Sequence, residues 1–206
     1  MKMNVAATRM ELMRLRKRHD VAVRGHKMLK DKLDELIRLF LELVEQNQGF
    51  REEVEKKLQH AIDSFTTAKG GINDAALSQA IQYNSSEVHI QRKEKQVLNL
   101  RVPVFEVEES GSIFSYGFED TSAALDISLS IFRKLLPDMV KLAELEKSIQ
   151  LMAEEIETTR RRVNALEYIL IPNLSETIRY IRMKLEERER SALTRLMKVK
   201  DIIQSK

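Results

Sequence analysis

From Leu142 to Ile203, apolar side chains recur at three- and four-residue steps for more than sixty residues, and that seam constrains the fold more than anything else in the chain. The series Leu142, Leu145, Ile149, Met152, Ile156, Thr159, Val163, Leu166 and Leu170 alternates threes and fours, which is the stripe of a helix lying along another helix. Such a stripe requires a partner. Residues 5–68 offer one, because Val5, Thr8, Leu12, Leu15, His19, Ala22, His26, Leu29, Leu33, Leu36, Phe40, Leu43, Asn47, Phe50, Val54, Leu58, Ala61, Phe65 and Ala68 keep the same stepping. Its one irregularity, two fours in a row at Phe50, Val54 and Leu58, is a stutter that unwinds a supercoil locally without ending it. Gly25 and Gly49 each cost about 1 kcal/mol against alanine, which a helix of this length tolerates. Gly70-Gly71 then predicts its end.

Between the two long patterns the period changes. Residues 72–83 fit a short helix on Ile72, Ala75, Ala76, Gln79, Ala80 and Tyr83. Val88 and Ile90 alternate with polar residues, as do Leu98, Leu100, Val102 and Val104, so a β-hairpin over about residues 87–104 is expected, with the charged run Arg92-Lys93-Glu94-Lys95 as its solvated tip. Pro103 then belongs at an edge or a strand end, since it donates no ladder hydrogen bond. Residues 108–111 and 115–117 read as loops, and Thr121 or Ser122 as the cap of a second helix with Asp126 in its first turn. That helix runs to about Ile203 and opens with Leu125, Leu129, Phe132, Leu136 and Met139 on one face. Pro137 and Pro172 fall inside it, and each should kink or divide it. Around Pro172 the seam becomes a run of fours, Leu166, Leu170, Leu174 and Ile178, before Ile181, Leu185, Arg188, Ala192, Leu196, Val199 and Ile203 resume it.

The expected fold is mainly α: a long antiparallel two-helix coiled coil with a small middle region that holds a β-hairpin and a short helix. In segments, residues 1–70 are the N-terminal helix, 71–120 the middle knob and 121–206 the C-terminal helix, all one elongated unit. A helix of about 64 residues is about 96 Å long, so the expectation is a rod carrying a knob.

Composition agrees with that and narrows the function. Charged residues make up 33% and aromatic residues 5%, with six glycines and three prolines, the profile of long solvated helices. There is no cysteine, which excludes disulfides and thiolate metal sites. The longest apolar stretch, Leu36 to Val44, is interrupted by Arg38 and Glu42 and is far shorter than a membrane span. Met1-Lys2-Met3-Asn4 leads directly into a charged amphipathic segment without a secretory core, so a cytoplasmic protein is expected. Residues 1–32 carry ten Lys or Arg against three acids, a net +7, and residues 160–206 carry twelve against six, a net +6. The whole chain is only +3, which leaves −10 for the residues between. An antiparallel hairpin would set the two basic ends side by side.

Catalytic signals are nearly absent. His19 and His26 share a face but lie roughly 10 Å apart along a helix axis, too far for one metal, and fit polar positions that fix the register of a seam. His60 and His89 belong to no cluster. Lys69-Gly70-Gly71 lacks phosphate-loop spacing, and Glu154-Glu155 and Glu186-Glu187 have basic neighbours at helical spacing, as solvated faces do. The sequence therefore calls for no catalytic residue, no metal and no cofactor. The clusters Arg14-Leu15-Arg16-Lys17-Arg18 and Arg160-Arg161-Arg162 admit three readings: a solvated face, docking to an acidic protein, or a nucleic-acid-binding arm. No aromatic residue is interleaved with either cluster, which leaves base stacking unsupported.

The run from Met152 to Pro172, with Arg160-Arg-Arg-Val-Asn-Ala-Leu-Glu167 at its centre, and the following Leu174, Thr177-Ile178, Tyr180-Ile181 and Lys184-Leu-Glu-Glu187 resemble the D subunit of the V-type and archaeal-type rotary ATPases. So do Thr8-Arg-Met-Glu-Leu12, Arg24-Gly-His-Lys27 and Leu29-Lys-Asp-Lys32. The resemblance covers both long helices, and residues 72–118 match in outline only. It implies the central rotor shaft, a non-catalytic subunit that transmits torque between ATP chemistry in a ring and ion movement in the membrane. The implied partners are the ring of catalytic A and non-catalytic B subunits around the paired termini, the rotor's F subunit, which lies alongside, and the funnel-shaped C/d subunit, which joins the membrane ring. The chain itself would be peripheral, with no segment in the bilayer and no role for nucleic acid. Under that implication Arg9, Arg14, Arg16, Arg18, Arg188, Arg190 and Arg195 are ring-facing candidates. Arg160, Arg161 and Arg162, about sixty ångströms from the C-terminus by helical rise, are candidates for the lower rim of the ring or the F subunit. Pro137 and Pro172 are candidate bends that make the shaft asymmetric.

Overall fold

The computed structural model describes residues 5–82, 85–117 and 121–204. Along the chain it contains α1 (Arg9–Lys69), α2 (Asp74–Gln82), β1 (Glu87–Val97), β2 (Leu100–Ser110), α3 (Ala123–Asn164), a π-helical turn (Ala165–Leu170) and α4 (Ile171–Gln204). The protein is thus mainly α, with a two-stranded antiparallel hairpin in the middle. Met1 to Asn4 and Tyr83, on which two of the sequence expectations rest, lie outside the described residues. Among the described residues no helix is long and apolar enough to cross a membrane.

Local chemistry sets the helix ends. Thr8 Oγ1 accepts a hydrogen bond from the Glu11 amide at 3.2 Å, which fixes the start of α1 at Arg9, four residues later than the apolar stepping alone implies. At the other end the amides of Gly70, Gly71 and Ile72 close on the carbonyls of Thr66, Ala68 and Lys69, and the helix stops at the glycine pair as expected. Asn73 caps α2 through a 3.3 Å bond to the Ala75 amide. The expected cap of α3 takes another form. Ser122 contributes its carbonyl, which accepts from Leu125 N–H at 2.8 Å, while its hydroxyl is buried without a hydrogen-bond partner, and Thr121 Oγ1 donates back to Gly117 O.

The chain divides into two compact units, Met1–Leu36 with Ile156–Lys206, and Ile37–Glu155. In the first, Leu15 and Ala22 of α1 pack with Leu174 and Ile181 of α4, and Leu12, Leu170, Ile178 and Leu185 close around them. Residue numbers rise on α1 as they fall on its partner: Arg9 meets Glu189 and His26 meets Glu167. The pairing is therefore antiparallel. In the second unit Val54 and Ala61 of α1 pack with Leu135 of α3, and Ala68 packs with Leu77 and Ala80 of α2 and Leu125 of α3. The rings of Phe65 and Phe132 meet edge to face at 6.2 Å. Here too Arg51 reaches Glu146 and Lys57 reaches Asp138, so these helices also run antiparallel. From Leu12 to Ala68 every seam position of α1 is buried or half-buried, as the stepping of threes and fours requires.

The hairpin differs from expectation in register and extent. Its turn is Leu98-Asn99, with Val97 opposite Leu100, and not Arg92 to Lys95; its strands reach Ser110, so residues 108–110 are strand and not loop. The charged run is strand because its charges find cross-strand partners: Lys93 bonds Glu106 at 2.7 Å, and Glu94 lies between Arg92 and Arg101. Leu98 takes a φ of 54° to make the two-residue turn, a geometry that glycine or asparagine would normally advertise. Pro103 pairs with Glu94 in a sheet where each strand has a free edge, which removes the objection to proline there.

The second long helix is not uniform. Pro137 lies within α3, which continues past it undivided. Ahead of Pro172 the backbone widens into the π turn, with the Ile171 amide bonded to the Leu166 carbonyl five residues back. A proline ring crowds the carbonyl four residues earlier, here Tyr168, and a π turn with its one surplus residue relieves that clash. The run of fours in the seam is this surplus residue seen in sequence. Beyond Leu185 every described residue of α4 is exposed, including the seam positions Arg188, Ala192, Leu196, Val199 and Ile203. α1 starts at Arg9, opposite Glu189, so α1 does not run alongside these last turns of α4.

Candidate contact surfaces

All seven ring-facing candidates are exposed. Arg9 and Arg188 come together where α1 begins. Arg9 Nη2 pairs with Glu189 Oε1 at 2.5 Å, and Arg188 Nη1 donates to the Ala7 carbonyl at 2.8 Å. Arg16 joins Arg9 along a shallow groove that also takes in Leu12, Arg182 and Leu185. Arg14 lies 3.8 Å from Glu11 on its own helix, and Arg18 is one turn further on. Arg190 and Arg195 sit on the uncovered end of α4, where Arg195 Nε donates to the Ser191 carbonyl at 3.2 Å. Exposed pairs of this kind are worth about 0–1 kcal/mol each, so these guanidinium groups can exchange partners at little cost.

The uncovered end of α4 is not purely basic. Leu193, Leu196, Met197, Val199, Ile202 and Ile203 are between 52% and 69% exposed. Sequence periodicity shows that these residues form a stripe, but not that α1 stops short of it. The available signal is the capping box at Thr8, which sets where α1 can begin.

Arg160, Arg161 and Arg162 are exposed at the end of α3, with Arg161 paired to Glu157 on the same helix. The two seam histidines are half-buried, and His26 Nε2 lies 3.3 Å from Glu167 Oε2 in the π turn. Pro137 and Pro172 are exposed on the outer face of their helices. Among the described residues no group of three or more His, Asp or Glu is placed to hold a metal ion.

In the second unit the hairpin is tied to α3 by polar contacts that the sequence did not indicate. The Phe105 amide donates to Glu144 at 2.9 Å and Arg133 pairs with Glu109 at 2.6 Å. Nearby, Tyr116 donates to Asp126 at 2.5 Å, and burial together with that carboxylate pushes the phenol pKa well above its ordinary value.

The family model for the D subunit of ATP synthase matches residues 11–201. The chain belongs to the family of ATP synthase D subunits. It is 50% identical over 202 residues to the V-type ATP synthase D subunit of Thermoanaerobacter sp. (strain X514), covering 97% of each chain. The V-type ATP synthase D subunit of Clostridium botulinum (strain Alaska E43 / Type E3) is 50% identical over 210 residues, covering 100% of this chain and 99% of that one. That of Clostridium botulinum (strain Langeland / NCTC 10281 / Type F) is 47% identical over 211 residues, with 100% and 98% covered. The family match runs through both long helices and the middle region alike, so it includes the hairpin that resembled the family only in outline.

Proposed function

We propose that the chain is the central rotor shaft of a V-type or archaeal-type ATPase, a non-catalytic subunit that carries torque between ATP hydrolysis or synthesis in the catalytic ring and ion translocation in the membrane ring. Membership of the D-subunit family carries this reading and favours it over a nucleic-acid-binding arm. The two antiparallel helix pairs supply what a shaft needs, since torque is transmitted through seams of buried side chains and not through a flexible linker. The uncovered end of α4 supports insertion of the terminal helix into the ring of A and B subunits, with its apolar stripe and Arg190 and Arg195 against the ring wall. Arg9, Arg14, Arg16, Arg18 and Arg188 continue that contact where α1 begins.

Weak, exchangeable charge pairs suit a surface that must bind at no single angle. Arg160, Arg161 and Arg162 meet the lower rim of the ring or the F subunit. The funnel-shaped C/d subunit takes the opposite end and links it to the membrane ring. Pro137 and Pro172, with the π turn, give the shaft the asymmetry that couples angle to chemistry. In this reading the three segments, 1–70, 71–120 and 121–206, belong to one rotor subunit on the cytoplasmic side, peripheral to the membrane. A tagged chain expressed in its own cells tests the reading: it should retrieve the A, B and F subunits in fixed ratio. Retrieval of none of them, or of nucleic acid in a complex that dissolves with salt, would count against it.

A further inference from the structure

The first half of α3 carries more apolar surface than its seam with α1 uses. Leu125 and Leu135 are buried in the clusters that hold α3 against the end of α1. Leu129, Phe132, Leu136 and Met139, which step by threes and fours and so share a face, line a cavity of about 270 Å³. Its other wall is Val88, at the root of the hairpin, and Ile113, just beyond the end of β2. Val88 and Met139 are 44% and 42% exposed, so part of this apolar lining faces water. The charged groups of the lining are Arg133, Glu109 and Glu87, one cation against two anions. Arg133 Nε pairs with Glu109 Oε2 at 2.6 Å, which neutralises both, and Glu87 lies 3.4 Å from His89 Nε2.

We propose that this cavity binds a neutral aromatic molecule of about ten non-hydrogen atoms, held by apolar contact between α3 and the root of the hairpin. The inference goes beyond the rotor reading and does not depend on it. Volume sets the size of the ligand. An apolar cavity of about 150 Å³ takes one benzene ring, so 270 Å³ has room for two fused rings. The rim sets its charge. An anion would meet Glu87 and Glu109, and a cation would leave water beside Arg133 in a mostly apolar site; a neutral molecule leaves the Arg133 and Glu109 pair intact. The lining sets its kind, because the Phe132 ring and the Met139 thioether both pack favourably against aromatic rings. A ligand touching both walls would brace the hairpin root against α3, beside the Arg133 pair and the Phe105 amide bond to Glu144.

The test titrates the full chain with indole, a neutral molecule of two fused rings, and follows methyl resonances by NMR. Those of Val88, Ile113, Leu129, Leu136 and Met139 should shift together and saturate with a Kd below about 1 mM. Indole-2-carboxylate, the same rings bearing a negative charge, should bind at least about tenfold more weakly. Met139→Trp and Val88→Trp each start from an exposed side chain and fill the cavity from opposite walls. Each should weaken indole binding at least about tenfold, with helical circular dichroism confirming that the variant is folded. The site is overturned by the absence of any indole shift, or by shifts that spread to Leu193, Leu196 and Ile202 without saturating. Undiminished affinity in the folded tryptophan variants, or tighter binding of the carboxylate, overturns it as well. None of these outcomes touches the rotor reading, which retrieval of the A, B and F subunits tests separately.

Discussion

Leu174 and Leu196 occupy equivalent seam positions in α4, yet one is 0% and the other 65% exposed, so truncating each should have very different consequences for the isolated chain. Leu174→Ala removes three carbon groups from a site closed by Leu15, Ala22 and Ile181. At about 0.8 kcal/mol per buried CH₂ the transfer loss is about 2.4 kcal/mol, and the residual cavity raises it into the range of about 2–5 kcal/mol. Leu196→Ala removes the same atoms from a side chain that is mostly in water already, and a surface change of this kind should stay within about 0.5 kcal/mol. For a transition of a chain this size, about 3 kcal/mol corresponds to a fall in Tm of about 6–12 °C. Thermal unfolding followed by far-ultraviolet circular dichroism separates the two variants. Equal destabilisation by both would mean that the end of α4 is covered in the free chain. A silent Leu174→Ala would mean that the α1 and α4 seam does not hold the first unit together. Either result refutes the reasoning.

Pro172→Ala should leave the helices folded and stabilise the chain by up to about 3 kcal/mol, the cost of proline in a helix interior; if coupling between rotation and ATP turnover is also unchanged in the assembled enzyme, the bend has no functional part. Lys57 is held by Asp138, with Glu53 second, and its pKa is pushed up from 10.5 to about 12. Because the folded value is the higher one, its contribution is complete below pH 10.5 and is lost as pH rises towards 12. Unfolding midpoints of Lys57→Met should therefore fall less steeply across that alkaline window than those of the wild type, and identical slopes would exclude the linkage. Gly111 has φ 84°, and an added Cβ would lie 2.2 Å from the Ser85 carbonyl oxygen, so Gly111→Ala should destabilise by about 1–3 kcal/mol or more. Gly25 has nothing within 4 Å of that position, and Gly25→Ala should stabilise by about 0.5–1 kcal/mol; denaturant titration of the pair checks both signs.

The long seams were legible because burial on one helical face leaves a repeating mark, and α1 from Leu12 to Ala68 carries it at every position. The glycine pair ending α1 was legible for an equally local reason, whereas the start was not: the seam runs back to Val5, and the cap at Thr8 sets the first turn at Arg9. The hairpin turn was not. A run of four charges looks like a solvated tip, but in a two-stranded sheet β1 is exposed over nearly its whole length and charge is no obstacle to strand. The turn residues Leu98-Asn99 lack the glycine that would have marked it. The π turn showed only as a run of fours, which periodicity can flag as irregular without saying that the backbone has widened. For the contact surfaces, the arginine clusters could be named from composition. The bare end of α4 could not, since an apolar stripe reads the same whether its partner lies in the same chain or in another.

Rotation of this chain can be watched directly. It contains no cysteine, so Asn99→Cys at the exposed hairpin turn gives a single attachment point for a bead, with the catalytic ring fixed to a surface. The measurement is bead angle against time on adding ATP. Rotation in one direction, at a rate that rises with ATP and stops when turnover is inhibited, is the predicted result. Steady ATP turnover beneath a stationary bead would contradict it.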